Sequence, residues 1–278
     1  MNEKMSGKRV LVTGSGTGIG REIALEFARQ GADVAVHYSH NDAGARSAIA
    51  EIRALGRRAE AFQADFKDAA QVRALGSEAI KFLGGVDCLV NNSGITFNQP
   101  FLKVTEEQFD AVFDVNIRAQ FFLTQVIVED MLQRGRGSIC NITSVHGLAG
   151  APEHSVYAGT KGAIIAYTRS LAVELAHKGI RVNAIAPGWV TVENYFKAIP
   201  GFNEADASRV AAEKIPLGRS GEKGEIAKLA VFLCSEDAGF IVGQTIVADG
   251  GTTSLMSLIS DFRNPSSAKF GTGYVPGV

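Results

Sequence analysis

Tyr157 and Lys161 stand four residues apart in YAGTK, within a stretch of helical period. Four residues make about one helical turn, so the two side chains share a face and can meet. A phenol, with an unperturbed pKa of about 10, is a poor proton donor or acceptor near neutral pH. A neighbouring ammonium favours the phenolate and brings the group toward the range in which acid-base catalysis is efficient. Such a pair suits interconversion of an alcohol and a ketone, because an alcohol that loses hydride must also lose a proton. A surface helix on which Tyr and Lys fall at this spacing by chance is the bland alternative. Ile164, Ile165, Thr168, Leu171, Ala172 and Leu175 continue an apolar stripe, which turns this helix toward the interior, where a lysine needs partners for its charge.

Two further polar residues fit the same chemistry. Ser144 ends the strand-like run GSICNITS, thirteen positions before Tyr157. Its hydroxyl either holds a substrate oxygen and stabilises charge developing there, or starts a turn. Asn116 lies in DVNIRAQFF and is a poor interior-helix residue, so it bends the helix, holds a water or faces solvent.

A binding site for a dinucleotide is written into TGSGTGIG, residues 13–20, which follows the first strand and opens the first helix. Glycines let backbone approach a pyrophosphate, and helix N–H groups favour its charge. Gly14, Gly18 and Gly20 give the spacing GxxxGxG, with Thr17 and Ile19 between them, instead of the usual GxGxxG, and a purely structural strand-to-helix turn is the rival reading. Cofactor choice should be set at the end of the second strand, where a carboxylate would bind the adenosine ribose and exclude a 2′-phosphate. There the sequence reads VHYSHND, with Tyr38 in place of the acid and Ser39 beside it. We therefore expect NADP(H) over NAD(H), although the loop and the glycine turn carry no Arg or Lys and Arg46 is the nearest cation.

These groups need a scaffold, and the sequence supplies one. Largely apolar, β-rich runs at 8–14, 32–38, 57–65, 86–92, 137–144, 180–187 and 244–250 alternate with helical stretches at 18–30, 41–55, 68–83, 106–134, 155–178 and 223–235. This alternation predicts a single α/β domain, a doubly wound Rossmann-type fold on a seven-stranded parallel sheet, over residues 1–251. Residues 188–222, with Trp189, Tyr195, Phe196 and Phe202, are too long for a simple crossover and are placed to cover a ligand. The tail 252–278 begins apolar (SLMSLIS) and ends rich in Gly, Ser and Pro, which fits a frayed terminus or a segment docked on the body or on a neighbouring subunit.

Composition narrows the function. The 278 residues are 46% hydrophobic with a formal net charge of −1, which argues against an electrostatic nucleic-acid or membrane-surface binder. MNEKMSGKRV has no apolar h-region and no later run reaches about 18 uninterrupted apolar residues, so a soluble, cytoplasmic protein is expected. Cys88, Cys140 and Cys234 match no zinc spacing and read as buried reduced thiols, and the histidines form no HExxH pattern, so no metal site is expected.

Together, TGSGTGIG, Asp65, NNSG at 91–94, Asn116, Ser144, YAGTK, APG at 186–188 and DGG at 249–251 resemble the short-chain dehydrogenase/reductase family, in order and spacing from about Lys8 to Gly251. The resemblance implies that Tyr157 is the catalytic acid/base, that Lys161 lowers its pKa and binds the nicotinamide ribose, and that Ser144 binds the substrate oxygen. Asn116 would maintain a water-linked proton path through Lys161. Gly14, Gly18 and Gly20 would form the pyrophosphate turn, with Thr17, Ile19, Tyr38 and Ser39 around the cofactor. Asp65 would contact the adenine, Asn92 and Gly94 support the cofactor site, Pro187 and Gly188 border the nicotinamide, and Thr191 reach its carboxamide. Ser93 departs from the family's usual alanine. The motifs are similar to those of 3-oxoacyl-carrier-protein reductases and bacterial glucose or other sugar dehydrogenases, so the expected substrate is a sugar, a polyol or a 3-oxoacyl-type carbonyl compound. His146 is a candidate partner for a polyhydroxylated substrate, or a loop histidine without a ligand role. A homo-oligomer, tetramer or dimer, with the helices at 106–134 and 155–178 in an interface, follows from the same resemblance. The competing class is a non-catalytic dinucleotide-binding redox sensor or scaffold, which would not need the proton-transfer groups.

Overall fold

A computed structural model describes residues 3–193 and 203–255. Tyr195, Phe196, Phe202 and the tail beyond Leu255 lie outside the described residues, and with them the expectation for the tail and part of that for 188–222. Seven strands, β1 (Arg9–Val12), β2 (Asp33–Tyr38), β3 (Ala59–Gln63), β4 (Cys88–Asn91), β5 (Gly137–Ile142), β6 (Ile180–Pro187) and β7 (Thr245–Ala248), form one sheet in the order β3-β2-β1-β4-β5-β6-β7. Every neighbouring pair is parallel. The expected α/β Rossmann-type domain with a seven-stranded parallel sheet is the observed one.

The strands read as apolar runs because both faces are covered. Val10, Val12, Val34, Val36, Val90 and Cys140 enter one core, against Ile23 and Phe27 of α1 (Gly18–Arg29), Ile49 and Ile52 of α2 (Asp42–Ala54), and the last described helix, Lys223–Cys234. Leu11, Ala35, Leu89, Ile139 and Val182 enter the other, against Leu75 of α3 (Ala69–Leu83) and Leu123, Ile127 and Met131 of a long helix ending at Arg134. Alternate residues of one strand thus serve opposite layers. Each large apolar side chain fully buried this way contributes roughly 1.5–3 kcal/mol.

Local signals set the helix ends. Asn41 caps α2 through Gly44 N–H, and Asp68 caps α3 through the N–H groups of Ala70 and Gln71. Gly84, in the left-handed region, ends α3. The expected helix over 106–134 is divided: α4 (Glu106–Phe113), a π-helical segment (Asp114–Arg118) and α5 (Ala119–Arg134). By length and composition Glu106–Arg134 is apolar enough to cross a membrane, yet it sends Leu123, Ile127 and Met131 into the core of the domain. The elements continue with α6 (Ser155–Ala176), α7 (Glu204–Lys214), which lies within the long 188–222 segment, and α8 (Lys223–Cys234).

The cysteines are free and buried, as expected. Remote in sequence, they share one core, where hydrogen bonding to Cys234 and burial raise the thiols of Cys88 and Cys140 far above the ordinary range.

The sheet's direction of winding reverses between β1 and β4. At such a switch point the loops beyond the carboxyl ends of the strands part and leave a crevice. The glycine turn after β1, NNSG after β4 and Ser144 after β5 all lie at that end.

Candidate active site

Tyr157 and Lys161 lie on the first turns of α6. Lys161 is buried, donates from Nζ to the Ile142 carbonyl at 3.0 Å and lies 5.5 Å from the centroid of the Tyr157 ring. Burial lowers its pKa to about 8, because desolvation penalises the ammonium. The helix is pinned to the end of β5 by Thr143, whose hydroxyl donates to the Lys161 carbonyl at 2.7 Å. Of the two readings of YAGTK, the solvent-facing helix is excluded by the burial of Lys161, Ile164, Ile165 and Thr168.

Asn116 does not face solvent. It is fully buried in the π-helical segment. Its Oδ1 accepts from Ile95 N–H at 2.8 Å, and its Nδ2 donates to the Ile95 carbonyl at 3.0 Å and to Thr160 Oγ1 at 3.1 Å. Thr160 in turn donates to the Tyr157 carbonyl at 2.8 Å, which links the segment to the helix that carries the tyrosine. Gly94 faces both groups: a Cβ there would lie 3.3 Å from Asn116 Oδ1 and 3.5 Å from Lys161 Nζ.

Ser144 is buried at the end of β5, and its Oγ accepts from His146 N–H at 3.2 Å, so the turn-starting role is realised. Its hydroxyl hydrogen is left for another acceptor. His146 stacks on His154 at 4.6 Å between centroids and meets the Tyr157 ring edge-on at 5.6 Å. Burial and the neighbouring His154 hold its pKa below the ordinary value.

The glycine turn fits a pyrophosphate. Gly14 and Gly18 have φ of 63° and 58°, the region that favours glycine. A Cβ on Gly20 would lie 2.4 Å from the Gly14 carbonyl oxygen and 2.3 Å from Asn92 Nδ2. Thr17 precedes α1 in extended conformation and makes no side-chain cap, so the first amides of the helix are left for an anion. Asn92 braces the turn, donating from Nδ2 to the Thr13 carbonyl at 2.9 Å. Ile19 packs against the core beneath.

The remaining predicted residues ring this crevice. Asp65 follows β3 and accepts from Lys67 N–H at 3.0 Å. The loop after β2 does contain an acid, Asp42, which sequence position alone separated from Tyr38. Tyr38 donates to Asp42 at 3.0 Å and Arg46 donates to it at 2.7 Å, which leaves Asp42 below the usual carboxylate range. The Ser39 carbonyl accepts from Gln63 Nε2 at 3.1 Å. At the other end, Pro187 closes β6, and Gly188 packs so closely that a Cβ would lie 2.6 Å from Asp249 Cβ, which gives DGG its place. Thr191 pairs with Ser220 Oγ at 2.9 Å.

Sequence reasoning missed three supports. Thr13 Oγ1 accepts from the N–H groups of Asn92 and Ser93 at 2.9 and 3.0 Å, Thr160 links Asn116 to α6, and His37 sits buried under the glycine turn. The only signal was position: each adjoins a motif, and each looks like an ordinary strand or helix residue.

The profile of a family described as "Enoyl-(Acyl carrier protein) reductase" matches residues 14–253. The hydroxynaphthalene reductase-like protein Arp2 of Metarhizium robertsii is 38% identical, over 90% of this chain and 96% of that protein. The 3-oxoacyl-(acyl-carrier-protein) reductase FabG of Staphylococcus epidermidis is 39% identical over 88% of this chain and 98% of its own length. A solved structure described as a putative short-chain alcohol dehydrogenase from Sinorhizobium meliloti superposes with a TM-score of 0.85 at 36% identity, covering 92% of this chain and all of that one. With this fold and these relatives, the chain belongs to the short-chain dehydrogenase/reductase family of NAD(P)-dependent oxidoreductases acting on carbonyl and alcohol substrates.

Proposed function

We propose that Tyr157 exchanges the proton with the substrate oxygen in an interconversion of a secondary alcohol and a ketone, with Asn116, Ser144 and Lys161 completing the site. The single observation that carries this reading is the convergence of Lys161, Asn116 and Gly94 beside Tyr157, at the same end of the sheet as the glycine turn. A bound nicotinamide supplies or accepts the hydride. Ser144 Oγ–H holds the substrate oxygen as charge develops on it. Tyr157 donates its proton in reduction and takes it back in oxidation, with the Lys161 ammonium stabilising the phenolate. Asn116 keeps the Ile95 loop and α6 in register and supports a water-linked path to Lys161. Gly14, Thr17, Gly18, Ile19 and Gly20 receive the pyrophosphate, Asp65 and Asn92 the adenine side, and Pro187, Gly188 and Thr191 the nicotinamide side.

We favour NADP(H), because Asp42 is engaged by Tyr38 and Arg46 and Arg46 is the cation nearest the ribose end. For the substrate we favour a 3-oxoacyl-type carbonyl compound, on the near full-length likeness to a reductase of that class. A sugar or polyol is the second reading, supported by His146: its Nδ1 is buried without a partner, which keeps the ring neutral with a proton on Nε2 for a substrate oxygen. Exposed Phe121 and Leu132 on α5 and Val173 on α6 support a homo-oligomer built on these helices. Residues 188–222 form the substrate cover of this reading.

The test is nicotinamide absorbance with NADPH or NADH and a panel of ketones and acyl ketoesters, and with NADP⁺ or NAD⁺ and sugars or polyols, running Tyr157→Phe in parallel. Turnover that falls at least 100-fold in the variant while cofactor binding persists supports the reading. Undiminished turnover removes Tyr157 from the mechanism.

A further inference from the structure

His37 is the penultimate residue of β2, 1% exposed, on a strand whose other interior residues are Val34, Ala35 and Val36. A buried imidazole is costly unless both nitrogens are satisfied. Here both are, and by backbone groups whose polarity is fixed. Gly14 N–H donates to Nδ1 at 3.0 Å, and Nε2 lies 3.1 Å from the Ala64 carbonyl. An amide can only donate and a carbonyl can only accept, so the ring is neutral with its proton on Nε2. Phe66 stacks on the imidazole at 4.3 Å and 14°, fixing its plane. Ser93 Oγ lies 3.4 Å from the same Nδ1. The main chain of His37 is tied to the turn as well: its carbonyl accepts from Ser15 N–H at 2.9 Å, and its N–H donates to Ser15 Oγ at 3.1 Å.

The two backbone groups held by this ring flank two parts of the proposed cofactor site. Gly14 opens the pyrophosphate turn, and Ala64 immediately precedes Asp65, the proposed adenine contact. We propose that His37 is a positioning residue for the dinucleotide: its Nδ1 lone pair fixes the Gly14 end of the turn, and Nε2–H fixes the β3 end that carries Asp65. The inference rests on the reading of these two places as the cofactor site. It assigns the Nδ1 branch the larger effect on affinity, because Gly14 has φ of 63° and must hold that conformation while the pyrophosphate is bound.

Two substitutions separate the branches. His37→Asn places a side-chain oxygen at about the position of Nδ1 and loses the Ala64 contact, whereas His37→Gln reaches Ala64 with an amide N–H and loses the acceptor for Gly14. NADPH and NADH affinities are measured by quenching of protein fluorescence, and stability by urea unfolding of the same samples. The expected result is an affinity within about threefold of wild type for His37→Asn and roughly tenfold weaker for His37→Gln, with both variants losing stability. Equal affinities in the two variants overturn the assignment, since a purely structural histidine would give that result. Should either variant fail to fold, imidazole nitrogen NMR of the wild-type protein decides. A neutral Nε2–H ring whose Nδ1 resonance shifts on NADPH addition upholds the proposal, and a ring protonated at Nδ1 or indifferent to NADPH overturns it. A wild-type protein that binds neither NADPH nor NADH removes the cofactor-site reading itself.

Discussion

The carboxamide of Asn116 holds both polar backbone atoms of one residue, Ile95, accepting from its N–H at 2.8 Å and donating to its C=O at 3.0 Å. The loop after β4 is thereby paired as if it were a short strand, with a side chain as the partner. Asn116→Ala strips a buried amide and two acceptors of their partner and should cost about 2–4 kcal/mol of stability, read by urea unfolding. Turnover should fall further than stability accounts for, because Gly94 and Thr160 both lose their neighbour beside Lys161 and Tyr157. An unchanged unfolding midpoint would show that the pairing is unimportant.

Gly20→Ala tests the pyrophosphate turn. The new methyl would meet the Gly14 carbonyl oxygen and Asn92 Nδ2, one of them backbone, so the turn itself must shift. NADPH affinity should weaken at least tenfold, by the order of one lost charge-assisted contact. Fluorescence titration measures it, and circular dichroism checks that the fold persists.

Arg46→Ala tests cofactor choice. The guanidinium is held by Asp42 and is largely exposed, so its effect on a 2′-phosphate is that of a surface pair. The KM for NADPH should rise roughly fivefold, with that for NADH unchanged or lower. Equal changes for both cofactors would place the 2′-phosphate elsewhere or exclude it.

His37 gives a dependence of stability on pH. Burial depresses its pKa from 6.5 to about 4, the Ala64 carbonyl opposing this in part. Below 6.5 the unfolded chain takes up a proton that the folded chain refuses, so the folded state loses ground as pH falls. The contribution is full above pH 6.5 and is lost progressively down to about 4, to a total of roughly 3 kcal/mol. Urea midpoints of wild type minus those of His37→Asn, from pH 7 to pH 4, isolate it, since other titrating groups cancel.

Val173→Glu tests assembly. Val173 is 80% exposed on α6, and a charge there should shift the protein to a smaller species in light scattering without loss of the folded far-ultraviolet spectrum. An unchanged mass would move the interface away from this face.

The fold was legible because each layer leaves a local mark: apolar runs in strands covered on both sides, an Asn or Asp cap ahead of a helix, glycines where the chain turns. The catalytic constellation was legible for a related reason, since Tyr157 and Lys161 share one helix and their spacing carries the geometry. Asn116 was only half legible: its type marked it as unusual, but three readings stood open until its partners were seen. His37 was invisible, because DVAVHY looks like a strand with a polar end, and the groups that explain the imidazole come from β1 and the end of β3. Asp42 was overlooked for the opposite reason, being near Tyr38 in space through a helix turn instead of in the expected strand position. Contacts that cross elements leave no periodicity to read.

The π-helical segment at Asp114–Arg118 has a consequence for how this chain tolerates change. A π turn holds about one residue more than an α turn, and each helical residue advances the direction of a side chain by about 100°. The segment therefore works as a phase shifter between two halves of one rod: Asn116 looks toward the reacting groups while Leu123, Ile127 and Met131 look into the sheet. Deleting a single residue there would leave a smoother helix and a mistimed one, with α5 swung about 100° and its apolar stripe turned off the core. Insertions and deletions usually spare helices because they break them; here the irregular turn is what keeps the two halves in step.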